Sequence, residues 1–586
     1  MKTWMESVRK TGQVFSIMTS FMDSHRYGSE NARVTRILPL ALALTVTSAA
    51  LTVGGSHPAQ ADTGCPSATK PELVDGFYEI VTEEHLMWLK GGDTGSDTDQ
   101  WALQYKLLGD PDMSGCTWSS GIGVDDDAKF TGTFDGQGNS ISNLTITNAA
   151  AGNLGLFGFV DDASISDLSI SGSVTGLGSI GLLVGVVSGS NGASIVNVSA
   201  TGTVTGQGDG PDGDHVGGLV GSMGKGGITG STANVAVTIE GAIVSARPSS
   251  FGGLVGLLSN EASVSGSTAT GNITLEQDQP TAGGLVGYAD GSVSNSSASG
   301  NIIGGASSVG GLIGHATSTI SGSHATGNVS PAGTASQAAG LVGLLQGGSV
   351  VDSYAEGDVV GSGNYLAGLV GNSVDGDIER SYSSGTVNAS NRFIGGLAAS
   401  LDSTSSITDS YSISAINFGS SDYVGGLVGY LNGASISNSY YAGSMSGTNS
   451  TNVGGMVGNA AGAGAASSSF FDEETAGRSD TTGNAQPETT ANMKTLSTFS
   501  DATWDIGDGW QSGETWGICD GTTYPFLIWQ YDESPCSLTT PTVDTAESTS
   551  SGFTFNVTNY DSDYTYSFSA TSGSASAGTA SGSDLP

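Results

Sequence analysis

Asp209, Asp212 and Asp214 crowd one short segment, Gln-Gly-Asp-Gly-Pro-Asp-Gly-Asp-His, at residues 207–215. Several carboxylates on a flexible stretch are the kind of oxygen set that holds calcium. A solvated acidic turn is the competing reading, and the Asp125–Asp127 run divides the same way. Sugar cleavage needs other groups. A lyase needs a Lys or Arg base, and a hydrolase needs paired carboxylates. Between residues 130 and 470 the only basic side chains are Lys225, Arg247, Arg380 and Arg392, far apart in sequence. Residues 176–181, Gly-Leu-Gly-Ser-Ile-Gly, match a dinucleotide fingerprint letter for letter. No helix-like segment follows, so the match has no context. Tyr354, Tyr382, Tyr411 and Tyr440 recur at steps of 28, 29 and 29 residues. A column of that kind either stacks on sugar rings as a ligand stripe or stacks on itself to stabilise the fold.

Those steps belong to a wider repetition. A phrase of the form Gly-Gly-Leu-Val-Gly occurs eleven times, from Leu154–Gly158 to Gly454–Gly458. Its central apolar residue moves from Leu156 to Met456 in steps of 27 to 36 residues, most near 29. A second phrase, Val/Ile-x-x-Ser-x-Ala-x-Gly-x-Val, falls between copies of the first. Val264–Ile273 and Val293–Ile302 are clear examples. A fixed period of this length means stacked supersecondary units. The segments between turns are short, β-branched and bounded by Gly, Asn and Asp, which reads as strands. Three short strands fill one period. The expected fold is all-β, a right-handed parallel β-helix (β-solenoid) of about eleven coils with a cap at each end, followed by a partial β-sandwich. The phrase glycines are expected at corners with positive φ, and the small Ser and Ala of the second phrase in a narrow interior.

The ends differ in kind. Arg33 and Arg36 precede an apolar run, Ile37–Val53, and Ala59-Gln-Ala61 supplies small residues for cleavage before Asp62. This is the pattern of a secretory signal peptide. Translation is expected to begin near Val34, because residues 1–32 fit no part of a signal. Residues 62–586 carry 52 acidic and 10 basic side chains, a net charge of −42. Such a chain repels phosphate polymers, which excludes nucleic acid as a partner. No membrane span is expected in the mature chain. All four cysteines lie outside the repeats, and in an exported protein Cys65–Cys116 and Cys519–Cys536 are the expected disulfides.

The domain reading is an N-terminal extension and signal at 1–61, an N-terminal cap at 62–128 with a short helix near 82–90, and the repeat solenoid at 129–469. An aromatic-rich C-terminal cap at 470–537 and the start of a fibronectin- or immunoglobulin-like sandwich at 538–586 complete it. The sandwich strands are expected at Phe553–Val557 and Tyr564–Phe568.

Gly-Gly-Leu-Val-Gly at this spacing, with Ser-x-Ala-x-Gly between copies, resembles the GLUG-motif repeats of bacterial surface and secreted proteins. Phe130–Ile146 is similar to the start of such repeat regions, and Tyr524–Trp529 to their exit. GLUG repeats also stand beside the catalytic domains of immunoglobulin A-cleaving metallopeptidases. The His-Glu-x-x-His motif of those domains is absent: His85 follows Glu83-Glu84 with no second histidine in reach. The resemblance implies an extracellular β-helical module without a defined activity. The functional expectation is a non-catalytic structural or adhesion stalk, secreted or at the cell surface, meeting host or environmental glycans or proteins. A carbohydrate-active β-helix enzyme or a glycan-binding module is the alternative. No catalytic residue is assigned, and calcium is the one cofactor left open.

Overall fold

A computed structural model describes residues 61–537, apart from 92–96, 150–151, 209–213, 242–248, 333–336, 403, 449–450 and 533, together with four short strands between 542 and 558. The chain is all-β, with 52% strand, and its repeats form a parallel β-solenoid of about 12 turns. The copies of each phrase lie over one another in register. Val350 pairs with Ile378, Ile378 with Ile407, and Ile407 with Ile436. The phrase leucines hand hydrogen bonds along the stack, with Leu312 N–H donating to Leu341 O, Leu341 to Leu369 and Leu369 to Leu397 at 2.9–3.1 Å.

The later coils hold five short strand segments rather than three. One coil runs Val370–Val374, Asp377–Glu379, Tyr382–Ser383, Val387–Ala389 and Phe393–Gly395. Sharp local bends divide the pairing. The sharpest recurs once per coil. Asn143, Asp167, Asn197, Gly230, Gly266, Asn295, Gly322, Asp352, Arg380, Asp409, Asn438 and Ser468 all have φ between 45° and 58°. Gly, Asn and Asp tolerate this left-handed region best.

From Ser231 onward the residue after each bend is a buried serine. Its Oγ accepts the backbone N–H of the matching residue one coil earlier, Val198 for Ser231 and a serine for every later one. The chain of bonds runs Ser231 to Ser267 at 3.2 Å, then 296, 323, 353, 381, 410 and 439 at 3.1 Å, then 469 at 3.3 Å. Each hydroxyl also donates to the carbonyl two residues back, as Ser353 does to Val351 O at 2.8 Å. The ladder satisfies backbone groups that the bend removes from the sheet.

The phrase glycines do not serve corners with positive φ. Glycines such as Gly340, Gly368 and Gly396 are absent from the left-handed set. They are needed because backbones meet there. A Cβ on Gly340 would fall 2.8 Å from the Ala355 Cβ and closer still to the Gly368 carbonyl. Gly284 faces Ala298 and Gly311 faces Ala325 in the same way. The glycine phrase and the Ala of the second phrase are therefore the two walls of one narrow interior.

At the N-terminal end, Glu72–Val74 runs antiparallel to Phe77–Ile80 and so ends the parallel stack. The helix Glu83–Gly91 buries Leu86, Trp88 and Leu89. Asp62 accepts from Lys90 Nζ at 2.7 Å and from Ser119 N–H at 2.8 Å. Both expected disulfides are present, Cys65–Cys116 and Cys519–Cys536. At the far end Asp480 Oδ2 accepts the Gly455 N–H at 2.8 Å. It stands where a further coil would offer a carbonyl, as Gly426 does to Gly396. Beyond Ser537 the described strands pair antiparallel, Thr542–Val543 with Val557–Thr558 and Glu547–Thr549 with Gly552–Thr554. The expected strand at 564–568 and the signal region 1–60 lie outside the described residues.

Ser353→Ala removes one acceptor and one donor from a fully buried ladder. It is expected to cost about 2 kcal/mol and to speed hydrogen exchange at Ser323 before distant coils. Gly340→Val is expected to be more damaging, because the adjoining backbone has no room. Uniform exchange across all coils in either variant would argue against ladder control.

Candidate functional site

The tyrosine column forms as a stack. His324, Tyr354, Tyr382, Tyr411 and Tyr440 follow one another with ring centroids 4.6–5.0 Å apart and planes within 3°. Each sits two residues past its bend, so the ladder that stacks the coils also stacks the rings. Their faces are spent on one another. A sugar needs a free face, and within the column none is offered.

The chain then covers the column. After the last coil, residues 496–530 turn back along the flank of the solenoid rather than only closing its end. Phe470, Phe499, Trp504, Trp516 and Leu527 pack with Tyr411 and Tyr440 in a second apolar core. Tyr411 is 6% exposed and Tyr440 1%. Tyr440 Oη donates to Pro525 O at 2.6 Å, and Gln530 Nε2 donates to Tyr411 Oη at 2.8 Å. As a ligand stripe the four tyrosines are thus corrected: two are buried, and Tyr354 and Tyr382 lie against Trp529 at 6.3 and 6.1 Å. Aromatic residues 470–532, read from sequence as an end cap, become in large part a lateral lid.

Three indoles register that lid on the bends. Trp529 Nε1 donates to Arg380 O at 3.0 Å, Trp516 Nε1 to Asp409 Oδ1 at 3.2 Å, and Trp504 Nε1 to Ser468 O at 2.7 Å. All three acceptors belong to left-handed residues. Burial pushes the Tyr382, Tyr411 and Tyr440 hydroxyls well above the ordinary phenol range.

A second aromatic column escaped sequence reading. Tyr365, Phe393 and Tyr423 stack at 4.8 and 5.1 Å, and Tyr430 leans on the last two at 5.3 and 5.4 Å. The signal was available: each of the three stands two residues before a glycine phrase. Arg392 lies over Phe393 at 4.7 Å and pairs with Asp422 at 3.4 Å.

Of the acidic segment, Asp209 and Asp212 lie outside the described residues. Asp214 is 2% exposed and its Oδ1 accepts the Gly178 N–H at 2.7 Å, a bond to backbone. Among the described residues no group of three or more His, Cys, Asp or Glu is placed to hold a metal ion, and no helix is long and apolar enough to cross a membrane.

A polar trench of about 530 Å³ crosses the coils on another face. Asn260, Asp290, Thr317, Thr319, Ser349, Asp375 and Asp377 line it, and Gly347 and Gly348 leave its middle without side chains.

A family model described as the GLUG motif matches residues 248–274, 279–303 and 305–330. Each match holds one glycine phrase and one serine phrase. Three coils of the solenoid thus match the GLUG motif. The coils outside the matched GLUG stretches carry the same pair of phrases in the same register. Halomucin from Haloquadratum walsbyi is 34% identical over 157 residues, 25% of this chain; the aligned part is 2% of halomucin's own length. A proposed immunoglobulin A1 protease from Bacteroides ovatus aligns over 80% of this chain and 98% of its own at 14% identity, with a TM-score of 0.24. At that level neither fold detail nor activity transfers.

The lid generates a pH prediction. The buried phenols keep their protons in the folded state above the pH at which an unfolded tyrosine, with a pKa of about 10, loses its own. Their contribution to stability is full below that value and is lost as pH rises beyond it. Lid release is therefore expected above about pH 10, read as tyrosinate absorbance rising together with a shift in tryptophan emission. Trp529→Ala should bring the onset to lower pH. Tyrosine titration in the intact protein with no tryptophan change would refute the lid's role.

Proposed function

We propose that this protein is a secreted, surface-located structural stalk whose solenoid carries no catalytic centre. The observation that carries the reading is the unbroken serine ladder, which joins nine consecutive coils from Ser231 to Ser469 through buried bonds. A repeat array held this way keeps its ends apart, and its side chains are spent on stacking. The GLUG coils, the stretch similar to halomucin and the two disulfides support an extracellular setting. The strong negative charge favours a soluble, dispersed chain.

A carbohydrate-cleaving enzyme is the rival. Its basic candidates are each occupied: Lys225 with Glu261 at 2.9 Å, Arg380 with Asp352 at 2.7 Å and Arg392 with Asp422 at 3.4 Å. Arg247 lies outside the described residues. Protease shaving of intact source cells is expected to remove the protein while cytosolic markers survive. Recovery only from the cytosol would sink the surface reading. Release of products from neutral or uronic-acid polysaccharides by the purified chain would overturn the non-catalytic one.

A further inference from the structure

We infer that the polar trench binds a neutral oligosaccharide. It runs from Asn260 to Asp377 across five successive coils, a span of about 19 Å at ~4.8 Å per coil, so it fits an extended chain rather than a compact solute. Hydroxyls lie in the middle with carboxylates on either side. Hydroxyls come from Thr319 and Ser349, whose oxygens lie 3.0 Å apart. Carboxylates come from Asp290, Asp375 and Asp377. Asp375 and Asp377 each accept one hydroxyl of the following coil, at 3.1 and 2.6 Å, which fixes their position and leaves further acceptor capacity. A sugar's vicinal hydroxyls need this mixture of donors and acceptors on rigid supports.

Other occupants fit less well. Asp375 and Asp377 share one coil and Asp290 lies three coils away, and among the described residues no three carboxylates, histidines or cysteines converge as a metal site would. A polyanionic glycan meets a chain of net charge −39 and is repelled. The trench lining itself carries no aromatic and no basic side chain. The middle of the trench is open for a structural reason: Gly347 has φ of 74° and nothing within 4 Å of a Cβ position. The inference holds whether or not the solenoid serves as a stalk.

The test is affinity of the purified full chain for immobilised neutral, amino and acidic oligosaccharides, with calcium and with EDTA. The expected result is retention of a neutral set, unchanged by EDTA. Thr319→Trp places bulk on an exposed strand position in the trench and should weaken binding at least tenfold, while Thr274→Trp on a different face should not. Asp377→Asn should weaken it several-fold. The proposal fails if no neutral glycan is retained, if Thr319→Trp binds as the parent does, or if retention requires calcium or an acidic glycan.

Discussion

One buried hydroxyl per coil governs the later part of this molecule. A left-handed residue bends the chain, and the serine that follows supplies both an acceptor for the coil before and a donor for its own strand. Without it the buried N–H of the preceding coil's serine would go unpaired, a cost of about 1–3 kcal/mol in each coil. The bend is thereby made identical from coil to coil. From Ser231 onward this bond reinforces the register that the strands share, and the aromatic column stands one residue after the serine.

The interior follows from the same constraint. Coils this flat bring the glycine phrase and the alanine column within contact, so neither wall tolerates bulk. Near the C-terminal end the rule bends: Tyr441 and Phe471 occupy the alanine column. There the ring lies beneath the glycine, and Tyr441 Oη donates to Ser414 O at 3.0 Å. The interior widens where the chain is about to leave the repeat.

Repetition made the architecture legible. Periodic Leu, Ser and Ala positions state which residues coincide, because identical residues one coil apart must share an environment. The disulfides were legible from compartment logic and position. The reason for the glycines was not, since close approach and positive φ call for the same residue and only coordinates separate them: Gly340 needs the first, Gly322 the second. The lid was not legible either. Nothing in residues 496–530 states that Trp529 will lie beside Arg380, a pairing 149 residues apart, outside any period. The second aromatic column is written in the sequence two residues before three of the glycine phrases, at Tyr365, Phe393 and Tyr423. The trench depends on Gly347 and Gly348 interrupting a polar column, a gap that spacing alone does not reveal.

The three indoles of the lid also act as a gauge of repeat number. They grip the turns at Arg380, Asp409 and Ser468, so the distance between grips is fixed in whole coils. Recombination that inserted or deleted one repeat between 380 and 468 would leave at least one indole facing the wrong turn. Among the described residues no indole grips a bend between Ser231 and Asp352, where the ladder is uniform. Length variation among relatives should therefore accumulate in the first stretch and spare the second, so that a chain of this kind can change its reach without reworking its closure.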